Sequence, residues 1–350
     1  MKGIILHGGH GTRLRPLTHT GPKQLLPIAN KPMSEYCIES IKEAGIKDIA
    51  IIIGGIGSKK VREYYGTGEK FGLSFTYIEQ DEPKGIAHAI QLCKEFVNNE
   101  KFLVFLGDNI IQKSINEFAL KFEKSNFDAT VLLCKVDNPS RFGIASVTEE
   151  KITKIVEKPK NPSSDLAVTG IYFLTSKIFE IIENLKPSWR NELEITDALD
   201  ILLEKNHNLS YEIITDYWKD TGTPEDIIHA NGQLIEKMKD SFLGVKENNV
   251  KIDGKVLVGK NSLIKSDTII NGPAIIGENC IINSGTIIGP NVSIGDNSSI
   301  SKCNVTNSII MKNCKIDLDM NIQNSIISNN SEIISDNKSN NDKVFLLGEG

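Results

Sequence analysis

An α/β domain with a doubly wound, mainly parallel sheet, followed by a parallel β-helix of hexapeptide repeats, is the architecture this 350-residue sequence predicts. Three observations carry it. Strand-like and helix-like stretches alternate over about the first 240 residues. A glycine-rich turn follows the first strand. Aliphatic residues then recur every six positions from Ile252 onward. Length agrees, because one core seldom serves 350 residues.

The elements follow in chain order. Gly3–His7 is a short apolar strand that runs into glycines. Pro32–Ala44 places Met33, Tyr36, Cys37, Ser40, Ile41 and Ala44 at helical spacing, with Gly45 as its C-cap. Asp48–Gly54 is β-rich and apolar throughout, as a buried parallel strand requires. Ile86–Phe96 predicts a helix, and Lys101–Leu106 a strand ending in Gly107-Asp108-Asn109. The strands Ala129–Val136 and Ile152–Val156 follow. In such sheets ligands bind at the carboxyl ends of strands, where the glycine turn and Asp108 both fall.

The second half has another period. Ile252, Val258, Ile264, Ile270, Ile276, Ile282, Ile288, Ile294 and Ile300 form an unbroken six-residue series among Gly, Asn, Asp and Ser. Each hexad supplies one face of a coil, with the aliphatic residue inside. Thr306 breaks the series, which resumes at Ile310, Ile316 and Ile322. An insertion of four residues, as a loop or a shifted corner, would account for the break. The expected division is 1–240, 241–335 and a tail or cap at 336–350. Val344–Leu347 would supply the cap that such stacks need, and Ser335–Lys343 is polar enough to be disordered.

A net charge of −5 with interspersed signs argues against nucleic-acid and membrane-surface partners. No apolar run approaches the roughly 20 residues that span a bilayer, and the N-terminus lacks a signal-peptide core. Six cysteines without a C-x-x-C read as reduced thiols in a cytoplasmic protein.

The stretch GIILHGGHGTRLRPLTHTGPKQLLP holds the most chemistry. Gly8, Gly9 and Gly11 clear side chains from a strand-to-helix turn, so backbone N–H groups can approach a phosphate. The pattern matches neither a P-loop nor G-x-G-x-x-G, and alone it fits a tight turn with a solvated basic face. Arg13 and Lys23 favour a polyanion. His7 and His10 form H-x-x-H, with His19 nearby; glycines between them and no adjacent cysteine make zinc the weaker reading. Packing, or a contact from His10 to a triphosphate, is preferred. Asp108 by itself fits a turn aspartate, and Glu157-Lys158-Pro159 a surface turn.

Taken together, GGHGTRLRPLT, PKQLLPIANKP, LGDN, EKP, VTGIYF, ELEITDAL and WKDTGTP stand in the order found in nucleoside-triphosphate:sugar-1-phosphate nucleotidyltransferases. Residues 1–240 resemble that family, most nearly its thymidylyltransferase branch acting on glucose 1-phosphate. The hexads resemble the left-handed β-helix appended to its longer members. The resemblance implies Mg²⁺-dependent attack of a hexose 1-phosphate on dTTP, or on UTP, with loss of pyrophosphate. It gives Arg13 the β- and γ-phosphates and Lys23 the α-phosphate, and it gives Asp108 and Asp220 the metal. Leu6, Gly8, Gly9, Gly11, Thr12, Gln24, Gln80 and Gly85 would surround the nucleotide. A glutamine amide suits a pyrimidine edge, being both donor and acceptor. Gly143, Glu157, Lys158, Val168 and Gly170 would hold the sugar phosphate. The chain departs from the family's small residues at His7 and His10, and Phe142 stands where tyrosine is commoner. The phrase LKPSWRNELEITDAL favours the thymidylyl branch over the uridylyl one. A β-helix acetyltransferase activity lacks a histidine after His229, and a non-catalytic regulatory subunit is disfavoured by Arg13, Lys23, Asp108 and Asp220. The coil's flat faces imply a homo-oligomer.

Overall fold

The structure, a computed structural model, describes residues 1–9, 11–334 and 346–347. It divides into two compact units: Met1–His10 with Met33–Asp220, and Gly11–Pro32 with the chain from Thr221 onward.

The first unit is built on a nine-stranded sheet. Its parallel half runs Phe102–Leu106, Lys2–Leu6, Asp48–Ile53, Ser74–Glu79, side by side in that order. Ile4, Ile5, Ile51, Ile52, Val104 and Phe105 are fully buried, as expected of strands covered on both faces. Beyond Phe102–Leu106 the sheet turns antiparallel through Leu166–Leu174, then Gly143–Thr148 and Lys151–Glu157. Leu166–Leu174 also pairs with Ala129–Lys135, with a register irregularity between Val168 and Tyr172. Gly170 sits at that irregularity with φ +77, where a Cβ would lie 2.6 Å from Leu106 Cδ1. The expected helix at 86–96 is two pieces, Ile86–Gln91 and Lys94–Val97. Between them Cys93 N–H bonds the carbonyl of Ile90 at 2.9 Å, a tighter turn than an α-helix makes. All six cysteines are free, and all but Cys134 are buried. No helix among the described residues is long and apolar enough to cross a membrane.

Asp128, 8 % exposed, ties two strands of this unit together. Its carboxylate meets Lys177 Nζ at 2.9 Å, His207 Nδ1 at 3.1 Å and the Asn208 N–H at 3.2 Å. Burial pushes its pKa up, but the Lys177 ammonium and the Asn208 and His207 hydrogen bonds pull it below the ordinary 3.8. A folded-state value below the unfolded one stabilises at pH above the unfolded value, and the gain disappears as pH falls through the folded value. Asp128→Asn should therefore cost about 1–2 kcal/mol at pH 7, with Lys177 half exposed and partly screened. Urea unfolding of both proteins should show the difference shrinking below about pH 4; a difference independent of pH would contradict it.

In the second unit three parallel sheets of seven, six and five strands form the coil of a left-handed β-helix. Ile264, Ile270, Ile282, Ile288, Ile294 and Ile300 are fully buried inside it. Each such burial contributes about 1.5–3 kcal/mol over leaving the side chain in water. The break in the series is a shortening, not an insertion. Val305, not Thr306, points inward, in register with Ile288, and Ile310 then pairs with Ile294. The steps from Ile300 to Val305 and from Val305 to Ile310 are thus five residues each, and both corners tighten. Leu346–Leu347 pair with Ile326–Ile327 at the end of the stack. Val344 and Ser335–Lys343 lie outside the described residues.

One corner is laid out by asparagine. Asn261, Asn279, Asn297, Asn313 and Asn330 all adopt φ of 55 to 61, the left-handed region that asparagine tolerates. Their side-chain amides bond head to tail at 3.2, 3.3, 3.1 and 3.0 Å.

Candidate functional site

Leu6, Gly8, Gln80, Asp108, Glu157 and Asp220 stand at or just beyond the carboxyl end of a strand, whereas Gly143 opens one and Val168 and Gly170 lie within another. Leu6 ends the first strand and Gly8 follows it. Gln80 follows Ser74–Glu79 and is 8 % exposed. Its Nε2 lies 3.3 Å from the Gly85 carbonyl oxygen and 3.0 Å from His88 Nδ1. A Cβ on Gly8 would come within 3.2 Å of Gln80 Oε1, so the missing side chain leaves that amide its place. Gly85 has φ +104, and a Cβ there would meet the Leu193 carbonyl at 2.5 Å. The turn is locked to the segment before Ile195–Glu204 by Leu193 N–H to Lys84 O at 2.7 Å and Ala87 N–H to Leu193 O at 3.0 Å. Leu6, Gly8, Gln80 and Gly85 thus form one group.

Asp108 and Asp220 form another, although 112 residues separate them in sequence. Trp218–Asp220 pairs antiparallel with Asn109–Ile111, which sets Asp220 opposite Asn109 and one residue from Asp108. The ladder is pinned from behind. Trp218 Nε1 donates to Asn109 Oδ1 at 2.9 Å, and Asn109 Nδ2 donates to Asp108 Oδ1 at 3.2 Å. Both aspartates are partly exposed.

His7 lies close enough to Asp108 to feel its charge, yet burial dominates and holds the imidazole down to about 3. It is 1 % exposed, packs edge-on against Tyr65 at 5.9 Å, and neither ring nitrogen has a hydrogen-bond partner among the described residues. At neutral pH it is an uncharged packing residue. His10 lies outside the described residues.

A third group gathers around Glu157. Its strand pairs Glu157 with Gly143, and a Cβ on Gly143 would sit 3.1 Å from Glu157 Oε2, 2.5 Å from Thr196 Cγ2 and 3.7 Å from Val168. Thr196 Oγ1 donates to Glu157 Oε2 at 3.1 Å. Lys158 Nζ and Arg190 lie 3.7 and 3.4 Å from Glu157 Oε1. Arg190 also pairs with Glu192 at 3.0 Å and with the buried Glu194 at 3.2 Å. Burial, then the nearby Glu194 charge, raise the Glu157 carboxyl above its ordinary value, against Lys158, Thr196 and Arg190. Arg190 escapes sequence reasoning: a single arginine in a polar stretch carries no spacing signal. Only the fold shows it reaching Glu157 as well as its near neighbours Glu192 and Glu194.

Gly11, Thr12, Arg13, Lys23 and Gln24 belong to the second unit. Gly11 has φ +57 and starts the short helical turn Thr12–Leu14, which buries Leu14 and leaves Arg13 exposed. Thr18 Oγ1 ties the turn back by donating to the Gly11 carbonyl at 2.7 Å. Lys23–Leu25 is a second short turn, with Gln24 buried and Lys23 half exposed. Gly9, φ +100, has open space where a Cβ would be.

Comparison with known proteins adds an independent line. Residues 2–237 match the family described as "Nucleotidyl transferase", and residues 270–349 match "GMPPB C-terminal domain". The chain is 43% identical over 263 residues to the "Low-salt glycan biosynthesis nucleotidyltransferase Agl11" of Haloferax volcanii, across 75% of this chain and 74% of that protein. It is 39% identical over 272 residues to a "Glucose-1-phosphate thymidylyltransferase" of Streptomyces antibioticus, across 77% and 76%. A Bacillus anthracis protein assigned as a glucose-1-phosphate thymidylyltransferase, solved with sucrose, superposes with TM-score 0.65 at 43% identity over 69% of this chain and 98% of its own.

Proposed function

We propose, from the premise that this chain belongs to the nucleotidyl transferase family, that it transfers a thymidylyl group from dTTP to glucose 1-phosphate, giving dTDP-glucose and pyrophosphate. Family membership makes it a sugar-1-phosphate nucleotidyltransferase. The choice of sugar and base is the further step. The thymidylyltransferase relative and the stretch LKPSWRNELEITDAL support it. The observation that carries the reading is the Glu157 group. A carboxylate able to accept from hexose hydroxyls stands beside the Lys158 ammonium and the Arg190 guanidinium, which suit a phosphate.

In this reading an oxygen of the sugar phosphate attacks the α-phosphorus of the triphosphate. The new P–O bond forms as the bond to the β-phosphate oxygen breaks, and pyrophosphate carries the electron pair away. Arg13 neutralises the β- and γ-phosphates and Lys23 the α-phosphate and incoming anion. Gln80 and Gln24 read the base edge. Catalysis of this kind is chiefly positioning and fixed positive charge. Asp108 and Asp220 offer the one or two carboxylates that Mg²⁺ takes alongside phosphate oxygens and water, and their shared ladder suits that donor set. When bound there, the ion would offset charge building on the phosphates. The same reading has the enzyme act in the cytoplasm as a homo-oligomer. Ile281, 41 % exposed on one flat face of the coil, supports the latter, and light scattering showing a monomer would oppose it.

The deciding experiment crosses dTTP and UTP with a panel of hexose 1-phosphates and follows pyrophosphate. dTTP with glucose 1-phosphate should give the highest kcat/KM; a tenfold preference for another pair would overturn the assignment. Gly143→Ala is a sharper probe of the sugar side. Its Cβ must displace Thr196 or Glu157, so KM for the hexose 1-phosphate should rise about tenfold or more, with triphosphate KM within about twofold.

A further inference from the structure

On the helix Pro224–Lys237 the buried face is Ile227, Ile228, Ala230, Leu234 and Ile235, and beyond Asp226 in the first turn one polar residue, Asn231, interrupts it. Asn231 is fully buried. Its Oδ1 accepts two hydrogen bonds: from the Ala29 N–H at 2.8 Å and from Ser293 Oγ at 2.6 Å. Those donors come from parts of the chain 202 and 62 residues away. Its Nδ2 has no partner among the described residues. The unpaired Nδ2 costs stability, while the Oδ1 gathers two buried donors that an apolar side chain there would leave unpaired, so the amide's use lies in the segments it joins.

The two donors have different duties. Ser293 is fully buried in the coil strand Val292–Ile294. Ala29 forms, with Asn30, the left-handed turn (φ 49 and 63) of a small hairpin that pairs Pro27–Ile28 with Lys31–Pro32. That hairpin continues directly from the Lys23–Leu25 turn. A second bond joins the same tip to the coil: Asn30 Nδ2 donates to the Ile294 carbonyl at 2.7 Å. The helix and coil touch so closely that a Cβ on Gly232 would come within 3.1 Å of Asn291 Oδ1.

We propose that Asn231 is a positioning residue: it joins the coil, through Ser293, to the hairpin that directly follows the Lys23–Leu25 turn, so that the β-helix fixes the phosphate-binding segment rather than only serving assembly. This rests on the role proposed for Lys23. The coil is the rigid body, the hairpin the part held, and Asn231 the acceptor that both share. Lys23 lies six residues before Ala29 in a chain that the short hairpin stiffens. A displacement of about 1 Å there is enough to cost about a hundredfold in rate.

Two variants of the full chain test it. Asn231→Leu keeps the branched shape in a larger side chain and removes the acceptor; Ser293→Ala removes only the coil-side donor. Three quantities are read for each: kcat and both KM values from pyrophosphate release, Tm, and hydrogen exchange of the peptide spanning 23–32. Asn231→Leu should lower kcat at least about tenfold and raise triphosphate KM by a larger factor than hexose 1-phosphate KM, because Lys23 meets only the phosphate of the sugar while Glu157 and Lys158 lie in the other unit. Ser293→Ala should lower kcat about threefold. The peptide should exchange faster in both. Unchanged exchange, or faster exchange with unaltered kcat, overturns the proposal, as does an equal rise of both KM values. If Asn231→Leu does not fold, Ser293→Ala decides by the same readings. A wild-type chain that releases no pyrophosphate with any pair overturns the assigned reaction instead, and the exchange rates then decide whether Asn231 anchors the hairpin.

Discussion

Replacing Lys23 by alanine should reduce kcat for pyrophosphate release by about 10²–10³-fold without unfolding the protein. The magnitude follows from removing one preorganised charge that faces a developing anion, about 3–4 kcal/mol in a partly dehydrated setting. The fold should survive because Lys23 is half exposed on a short turn and contributes no core. Lys23→Arg should recover little, since a planar fork does not replace a compact ammonium. Steady-state assays at saturating substrates with Tm measured in parallel give the answer. A kcat within threefold of wild type would remove Lys23 from the reaction.

Asp108→Asn and Asp220→Asn should each cost about 10²-fold or more, and the double variant little beyond the worse single one. Residues that act as one unit are strongly non-additive. Here the unit is the ladder that sets Asp220 opposite Asn109. Each change keeps side-chain shape and removes one negative charge, so the loss should be partly reversed at high Mg²⁺. The four proteins form a double-mutant cycle in kcat/KM. Multiplying effects would mean that the two aspartates do separate work.

Much of this was legible in the chain because it rests on local periodicity. Glycines after a strand, aspartate at a strand end and an aliphatic every six residues are short-range patterns, and the fold follows them. The failures have physical causes too. Thr306 falls on the six-residue position and breaks the series, which a count reads as an insertion; only pairing shows that Val305 faces the interior. Arg190 meets Glu194 four residues on, but its contact with Glu157 comes only through the tertiary fold. For His7 the packing reading, preferred over zinc, agrees with its burial. Nothing in residues 11–32 announces that their hairpin packs with the helix at 224–237, because that depends on one asparagine far downstream.

The asparagine corner bears on how such a chain can change length. Its rungs recur at Asn261, Asn279, Asn297, Asn313 and Asn330, at steps of 18, 18, 16 and 17 residues. Loss of a single hexad would carry this corner onto a neighbouring edge, break the amide column and misalign every turn beyond it. Loss or duplication of a whole turn would leave each remaining amide facing its own kind. Evolution and protein engineering alike should therefore lengthen or trim this half in full revolutions, tolerating a residue more or less only where a corner can tighten, as it does on either side of Val305.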